Sequence, residues 1–208
     1  IKITYNDMTL TSSDYEITGY ENNKVAGTGK IHIKGIGNYT GTATIEFAID
    51  KAPLVVELSS SNIYTRDENP IDITITTVDN TTISNENIGI KYFDEQKQEI
   101  NYIPTIAGSY YVQVTIPESS NFKAYDSGLV SYTITPKSIT GLEYDTLADV
   151  QYTGFEITRP LPVITFDDYR LLNNTDYSLA YTDANKNVIT SIVEAGSYFV
   201  KVTGIGNY

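Results

Sequence analysis

Oxygen donors late in the chain have the residue types and spacing of a calcium-ligand set: Asp183, Asn185, Asn187 and Glu194. Such donors at alternate positions, with a carboxylate at the twelfth, are what an EF-hand loop supplies. Three features oppose this interpretation: Val188 stands where that loop requires glycine, Lys186 adds positive charge, and Glu194 leads into a predicted strand. The alternative is a polar hairpin loop whose Asp and Asn residues set the turn. A similar loop at 94–98, with glutamines that would ligate calcium poorly, favours the hairpin.

No set of residues in the sequence indicates catalysis. His32 is the only histidine, and it lies on the polar side of the alternation of Ile31 and Ile33, where an exposed strand histidine is expected. The 26 acidic residues have no focus that would suit a sugar-hydrolysing pair of carboxylates. The sequence therefore predicts a protein that is not an enzyme and that needs no cofactor.

Composition limits the partners and the fold. The 208 residues are 40% hydrophobic, which is enough for a real core, and the chain has no cysteine. A net charge of -12 without a basic cluster predicts no binding to nucleic acid. No charged-then-apolar leader and no run of about 18 apolar residues occurs, which predicts no membrane insertion. Because residue 1 is isoleucine, we expect the chain to be a segment of a longer protein.

The elements that hold these residues are predicted to be strands. Thr, Ile, Val and Tyr are abundant, and apolar residues alternate with polar ones along several stretches. The clearest alternations lie at 31–33, 71–75, 88–92, 110–116, 177–181 and 198–202. The stretch GIGNYTG at 35–41 is predicted to turn a hairpin between the strands of Ile31/Ile33 and Ile45/Phe47. Gly35, Gly37 and Gly41 suit turn positions that need positive φ, and Asn38 tolerates that region too. The corresponding turn residues at the end of the chain are Gly204, Gly206 and Asn207.

The recurrence of GIGNY reflects an internal repeat. Ala-Gly occurs at 26–27, 107–108 and 195–196, and each copy is followed by an alternating strand. Asn followed by an aromatic residue occurs at 38–39, 121–122 and 207–208, so the asparagines are 83 and 86 residues apart. We therefore expect a truncated repeat at 1–50, a complete but divergent repeat at 51–136, and a repeat at 137–208 that lacks its last strand.

These landmarks resemble the bacterial Ig-like repeats of the MBG/YDG type. The first repeat matches through Asp14-Tyr15, residues 26–28, the turn at 35–41 and residues 47–49, and the third through Asp176-Tyr177, residues 195–197 and residues 204–208. The second departs, because residues 117–122 replace the glycine-rich turn. The resemblance implies tandem Ig-like β-sandwich domains in an elongated array, on the outside of bacterial cells.

Two tyrosines have the spacing of an Ig tyrosine corner. Tyr110 and Tyr198 each stand in a Gly-x-Tyr-x-Val pattern, whereas Gly29 occupies the tyrosine position in the first repeat. The alternative is that both tyrosines are simply core residues on alternating strands.

The expected function is a non-catalytic stalk segment of a cell-surface or secreted multidomain protein, with neighbouring domains of the same chain as partners. One alternative is an adhesin module that binds a host protein or glycan through tyrosines, for example Tyr20, Tyr152 or Tyr181. Another is an accessory region of a secreted carbohydrate-active enzyme. Lys51 and Lys137 also raise the hypothesis of intramolecular isopeptide cross-links with asparagines.

Overall fold

The computed structural model describes residues 2–84, 87–157 and 161–208. Every regular element in these ranges is a β-strand, which confirms the predicted all-β class. The strands in chain order are β1 Thr4–Tyr5, β2 Met8–Thr9, β3 Tyr15–Glu21, β4 Gly27–Gly35, β5 Thr42–Ile49, β6 Val55–Leu58, β7 Ser61–Ile63, β8 Ile73–Thr76, β9 Gly89–Phe93, β10 Glu99–Ile100, β11 Gly108–Ile116, β12 Tyr125–Asp126, β13 Val130–Thr135, β14 Glu143–Tyr144, β15 Ile164–Phe166, β16 Tyr169–Arg170, β17 Tyr177–Thr182, β18 Val188–Ile189 and β19 Phe199–Gly204. In the described ranges, no helix has the length and apolar character needed to cross a bilayer.

The strands pair mostly with neighbours in the chain. Among the described residues the sheets have the orders β1-β2, β3-β4-β5, β6-β8, β10-β9-β11-β13-β7 with β12 on β11, β14-β15-β16, and β18-β17-β19. β13 and β7 run parallel, whereas pairing is antiparallel within β1-β2, β3-β4-β5, β6-β8, β9-β10, β14-β15-β16 and β18-β17-β19 and between β11 and each of β12 and β13. Short antiparallel connections of this kind follow from turns between adjacent alternating stretches.

Two compact units divide the chain. One contains Ile1–Leu58, Ile73–Ile90 and Gln113–Gly128, and the other contains Ser59–Asp72, Lys91–Val112 and Leu129–Tyr208. These units do not coincide with the repeats predicted at 1–50, 51–136 and 137–208, because segments of the second repeat belong to both units. The repeat boundaries remain a prediction from the sequence.

In the first unit, β4 lies between β3 and β5 and carries the buried residues of this three-stranded sheet. Ile31 and Ile33 are buried as their alternation predicts, and Ile31 pairs with Ile45 across the hairpin. The turn is closed by the Gly35 N–H, which donates to the Gly41 carbonyl at 3.0 Å. The hairpin predicted around GIGNYTG is therefore confirmed.

In the second unit, the core surrounds the pairing of β11 with β13. Val112, Tyr132 and Ile134 are almost completely inaccessible to solvent. The Tyr132 hydroxyl donates to the Asn69 carbonyl at 2.6 Å and accepts a hydrogen bond from Asn62 Nδ2 at 2.9 Å. Because a buried hydroxyl without partners would be costly, these bonds allow a tyrosine at the centre of the core.

The third repeat, also in the second unit, has its own core. β17 lies between β18 and β19, and Tyr177 pairs with Gly204 while Tyr181 pairs with Val200. The buried cluster consists of Ile164, Leu171, Tyr177 and Tyr208. Tyr208, the last residue of the second GIGNY, is thus a core residue.

Candidate functional site: asparagine clamps at the repeat junctions

The two copies of GIGNY have the same geometry. In the first, the Ile36 N–H donates to the Asp14 carbonyl at 3.0 Å; in the second, the Ile205 N–H donates to the Asp176 carbonyl at 3.0 Å. The Asp-Tyr landmark of each repeat is therefore the residue pair that anchors the glycine-rich turn. The shared sequence encodes a shared local structure.

The glycines of this turn serve two different purposes. Gly37, Gly41 and Gly206 have φ values of 67°, 92° and 64°, as expected for the left-handed region. Gly35 does not have positive φ, and a Cβ on it would lie 2.9 Å from the carbonyl carbon of Tyr39.

Gly204 is likewise outside the left-handed region, with a Cβ position 2.6 Å from the carbonyl carbon of Tyr208. Glycine is needed at 35 and 204 because the chain folds back too closely for a side chain. The expectation of positive φ is wrong for Gly35. Asn38 and Asn207 are also outside the left-handed region.

Asn121, from the second predicted repeat, contacts the first predicted repeat within the first compact unit. The Ala26 N–H donates to Asn121 Oδ1 at 2.9 Å, and the Ala52 N–H donates to the Asn121 carbonyl at 2.9 Å. Ala26 precedes β4 of the first repeat, Ala52 lies just after β5, and Asn121 belongs to the second repeat. We call this pair of contacts an asparagine clamp.

The same clamp occurs at the next junction, within the second compact unit. The Ala107 N–H donates to Asn207 Oδ1 at 2.8 Å, and the Lys137 N–H donates to the Asn207 carbonyl at 2.9 Å. Ala107 precedes β11, and Lys137 lies just after β13. The Ala-Gly and Asn-aromatic landmarks of the sequence are therefore the two halves of one recurring junction.

Each junction also has an ion pair between its lysine and a carboxylate of the repeat that follows. Lys51 pairs with Glu118, and Lys137 pairs with Asp167. The hydrogen bond and the charge of Lys51 lower the pKa of Glu118. Both lysine ammonium groups thus contact carboxylates. As exposed pairs, these contacts contribute little to stability.

The second junction carries an aromatic cluster that the sequence did not predict. Tyr64 packs edge-on against Tyr208, with ring centroids 5.4 Å apart. Arg66 Nε donates to the Tyr208 hydroxyl at 2.8 Å, and the Arg66 guanidinium lies 4.0 Å from the centre of the Tyr169 ring. Arg66 Nη2 also donates to the Phe166 carbonyl at 3.2 Å. Burial, followed by the nearby Tyr208 hydroxyl, raises the pKa of Tyr64.

Three of the four proposed calcium ligands, Asp183, Asn185 and Asn187, lie in a hairpin turn between β17 and β18. Asp183 Oδ1 accepts hydrogen bonds from the N–H groups of Asn185 and Asn187, both at 2.9 Å, and Asp183 Oδ2 accepts one from Asn187 Nδ2 at 3.0 Å. The bonds from Asn187 lower the pKa of Asp183. Lys186 takes the positive φ that the turn requires, 66°.

The loop at 94–98 has the same arrangement. The Gln98 N–H donates to Asp94 Oδ1 at 2.8 Å, and Lys97 has a φ of 61°. Glu194 contributes its backbone carbonyl to a different contact, described below. The described residues contain no group of three or more His, Cys, Asp and Glu side chains arranged to hold a metal ion. The loop geometry is thus that of the polar hairpin alternative.

The two tyrosine-corner candidates make equivalent hydrogen bonds. The Tyr110 hydroxyl donates to the Ile106 carbonyl at 3.0 Å, and the Tyr198 hydroxyl donates to the Glu194 carbonyl at 2.8 Å. A bond to the backbone a few residues upstream is the contact that characterises a tyrosine corner. In the first repeat, a Cβ on Gly29 would lie 2.4 Å from Phe47 Cζ, so the Phe47 ring fills that space.

The tyrosines considered for binding are divided by burial. Tyr20 and Tyr152 are more than half exposed, at 54% and 56%, whereas Tyr181 is buried and belongs to the core.

His32 is partly buried, and its Nδ1 is 3.1 Å from Thr44 Oγ1 on the neighbouring strand.

Searches against protein-family models and curated proteins find no match for this chain.

Proposed function

We propose that this chain is a non-catalytic structural segment of a bacterial cell-surface or secreted multidomain protein. In this proposal the repeats are Ig-like β-sandwiches, and their array projects or presents other domains. The observation that carries the proposal is the recurrence of the asparagine clamp, formed by Asn121 at one junction and by Asn207 at the next. An array that transmits force needs the same defined connection at each junction, whereas a flexible linker needs none.

The chemistry of the clamp supports this role. Each clamp uses backbone N–H groups at the start of one strand and just after another, so it fixes the linker as well as the repeat. The tyrosine-corner bonds of Tyr110 and Tyr198 support the Ig-like part of the proposal. Neither feature involves a group poised for catalysis.

Single-molecule stretching tests the proposal. The chain is held between flanking reference domains, and its extension is recorded as force rises. We expect almost no extension until a whole repeat unfolds, because the clamped linkers transmit force without lengthening. The matched control carries Asn121→Ala and Asn207→Ala together and is expected to lengthen at lower force. A wild-type chain that lengthens as early as this control would contradict the proposal.

An adhesin is the alternative function, and it is favoured by exposed aromatic residues in the third repeat. Phe155 is 78% exposed and Tyr144 is 70% exposed. A structural segment does not need such side chains, but a binding surface does. A binding screen against host matrix proteins, immunoglobulins and glycans separates the two functions. Saturable binding that Phe155→Ser weakens, with Val78→Ser as the exposed apolar control, would replace the structural proposal by the adhesin.

A further inference from the structure

β7 and β13 form the parallel strand pair of the second repeat, and both strands belong to the second compact unit. Ser61 lies opposite Thr133, and from there the two strands run in the same direction. In the chain, β7 comes after the asparagine clamp at Ala52, and β13 ends just before the clamp at Lys137. The two clamps are therefore connected to opposite ends of this parallel pair.

The direction of tension follows from this connection. In an array that transmits force, tension enters the second repeat on the side of Ala52 and leaves it on the side of Lys137. It pulls β7 toward its amino end and β13 toward its carboxyl end, so the two strands are drawn past each other. The hydrogen bonds between them then share the tension and must break together, whereas bonds that are peeled from one end break one at a time.

Hydrogen bonds hold both ends of the short strand β7. The Thr133 N–H donates to the Ser60 carbonyl at 3.0 Å, and the Tyr64 N–H donates to the Thr135 carbonyl at 2.9 Å. The Thr135 hydroxyl also donates to the Asn62 carbonyl, at 3.1 Å. The whole length of β7 is therefore bonded to β13.

The side chain of Asn62 connects the middle of β7 to the core. Its Nδ2 donates to the Tyr132 hydroxyl on β13 and to the Pro70 carbonyl, both at 2.9 Å. Tyr132 is completely buried, so sliding β7 along β13 would remove a hydrogen-bond partner from a buried hydroxyl, which is costly. We call Asn62, Tyr132 and Thr135, with the backbone bonds between β7 and β13, the parallel contact.

The position of β7 in its sheet indicates where tension would separate the strands first. In the part of the chain that the structure describes, β7 lies at the edge of its sheet, beside β13. β13 is paired on its other side with β11, from Gly108 to Val112. Because this second pairing is longer than that of β7, we expect β7 to separate from β13 before β13 separates from β11.

We propose that the parallel contact sets the resistance of the second repeat to unfolding when tension runs along the chain. Asn62 is the positioning residue that prevents β7 from sliding, because its side chain joins β7 to the buried Tyr132. The inference rests on the proposed function in one respect, since a segment that carries no tension has no use for such a contact.

Constant-force measurements on the whole chain test the proposal by changing only the direction of pull. The chain has no cysteine, so introduced cysteines provide defined attachment points. Ser60→Cys with Pro136→Cys pulls opposite ends of the parallel pair, whereas Ser60→Cys with Ser131→Cys pulls the same end and peels β7 away. All three positions are exposed. We expect the folded repeat to survive at least about tenfold longer in the first geometry, because bonds that break together add their contributions.

Asn62→Ala tests the role of the side chain. It should shorten the lifetime in the first geometry about tenfold, because a bond to a buried hydroxyl is lost. The shortening should be smaller when β7 is peeled, since the bonds then break in turn. The matched control is Ser127→Ala, which removes the acceptor of the partly buried Val114 N–H outside the parallel contact. This control should lower stability in urea and leave the lifetime in the first geometry unchanged.

Thr135→Val provides a second variant that keeps the shape of the side chain and removes only its hydroxyl bond to the Asn62 carbonyl. We expect the lifetime in the first geometry to become about threefold shorter, and Thr135→Ser, which keeps a hydroxyl, to restore it. This pair of variants tests the parallel contact even where Asn62→Ala fails to fold.

Equal wild-type lifetimes in the two geometries would overturn the proposal. A lifetime in the first geometry that Ser127→Ala shortens as much as Asn62→Ala would overturn it too. All attachment points lie between Ala52 and Lys137 in the chain, so the pull does not stretch the clamped linkers. Failure of this test is therefore distinguishable from failure of the proposed function, which would show as early lengthening of those linkers.

Discussion

Asn207 shows how one residue can define a junction. Its side-chain oxygen and its carbonyl each accept one backbone N–H, from Ala107 and Lys137. An alanine at 207 would keep the second bond and remove the first. The structural importance of this residue thus lies in its side-chain acceptor, which can be tested separately.

Asn207→Ala is expected to lower the free energy of unfolding by about 1–2 kcal/mol, because the partly buried Ala107 N–H loses its acceptor. Urea unfolding measures this change, and hydrogen exchange at the Ala107 amide should become faster. Asn207→Asp keeps an acceptor oxygen and should retain the protection of that amide, while Asn101→Ala serves as the neutral control. Equal exchange rates for Ala107 in the wild type and in Asn207→Ala would show that the clamp does not hold this amide.

At the scale of elements, the hairpin between β4 and β5 depends on space as much as on φ. Gly35 has no room for a Cβ, whereas a Cβ on Gly19, in the irregular register between β3 and β4, would have no atom within 4 Å. The two glycines are both outside the left-handed region. Comparing a Cβ at these two positions therefore separates the effect of crowding from the effect of positive φ.

Gly35→Ala is expected to reduce the free energy of unfolding by about 1–3 kcal/mol, because the turn must shift away from the new methyl group. Gly19→Ala should be neutral or slightly stabilising, since it only restricts the unfolded chain. Urea unfolding of both variants provides the comparison. Similar stabilities for the two would mean that the turn relaxes without cost and that crowding does not explain the glycine.

For the molecule as a whole, tyrosine burial sets the response to alkaline pH. Burial is the main factor that raises the pKa of four tyrosines: Tyr64, Tyr92, Tyr110 and Tyr132. Above the ordinary tyrosine pKa of about 10, the unfolded chain loses these protons before the folded chain does. The folded state then binds more protons than the unfolded state, so stability falls as pH rises.

The expected result is a urea midpoint that is steady near neutral pH and decreases as pH rises above about 10. Tyr92→Phe removes one of the four hydroxyls and should make the decrease shallower. Absorbance of tyrosinate in the folded protein, recorded over the same pH range, should lag behind that of the urea-unfolded chain. A midpoint that stays constant up to pH values where all tyrosines have ionised would contradict this explanation.

Several features of the structure could be predicted because their causes are local. Side chains alternate across a strand, so the apolar positions 31 and 33 predicted a buried face of β4. Turn chemistry at 35–41 predicted the hairpin, and Asp with Asn at 183–187 predicted the polar loop. The φ of Gly35 was not predictable in this way, because the need for glycine there comes from the returning chain at Tyr39.

The sequence alone determined the strand class, the turns and the recurring landmarks, since each strand, turn or landmark depends on residues that are close together in the chain. Only the tertiary structure decided what the repeated landmarks do. Asn121 and Ala26 are 95 residues apart, and Asn207 and Ala107 are 100 residues apart, so no local pattern joins them. The same holds for Arg66, whose partner Tyr208 lies 142 residues away. Such contacts form because folding brings strand starts, linkers and turns together, and only there do isolated landmarks become a junction.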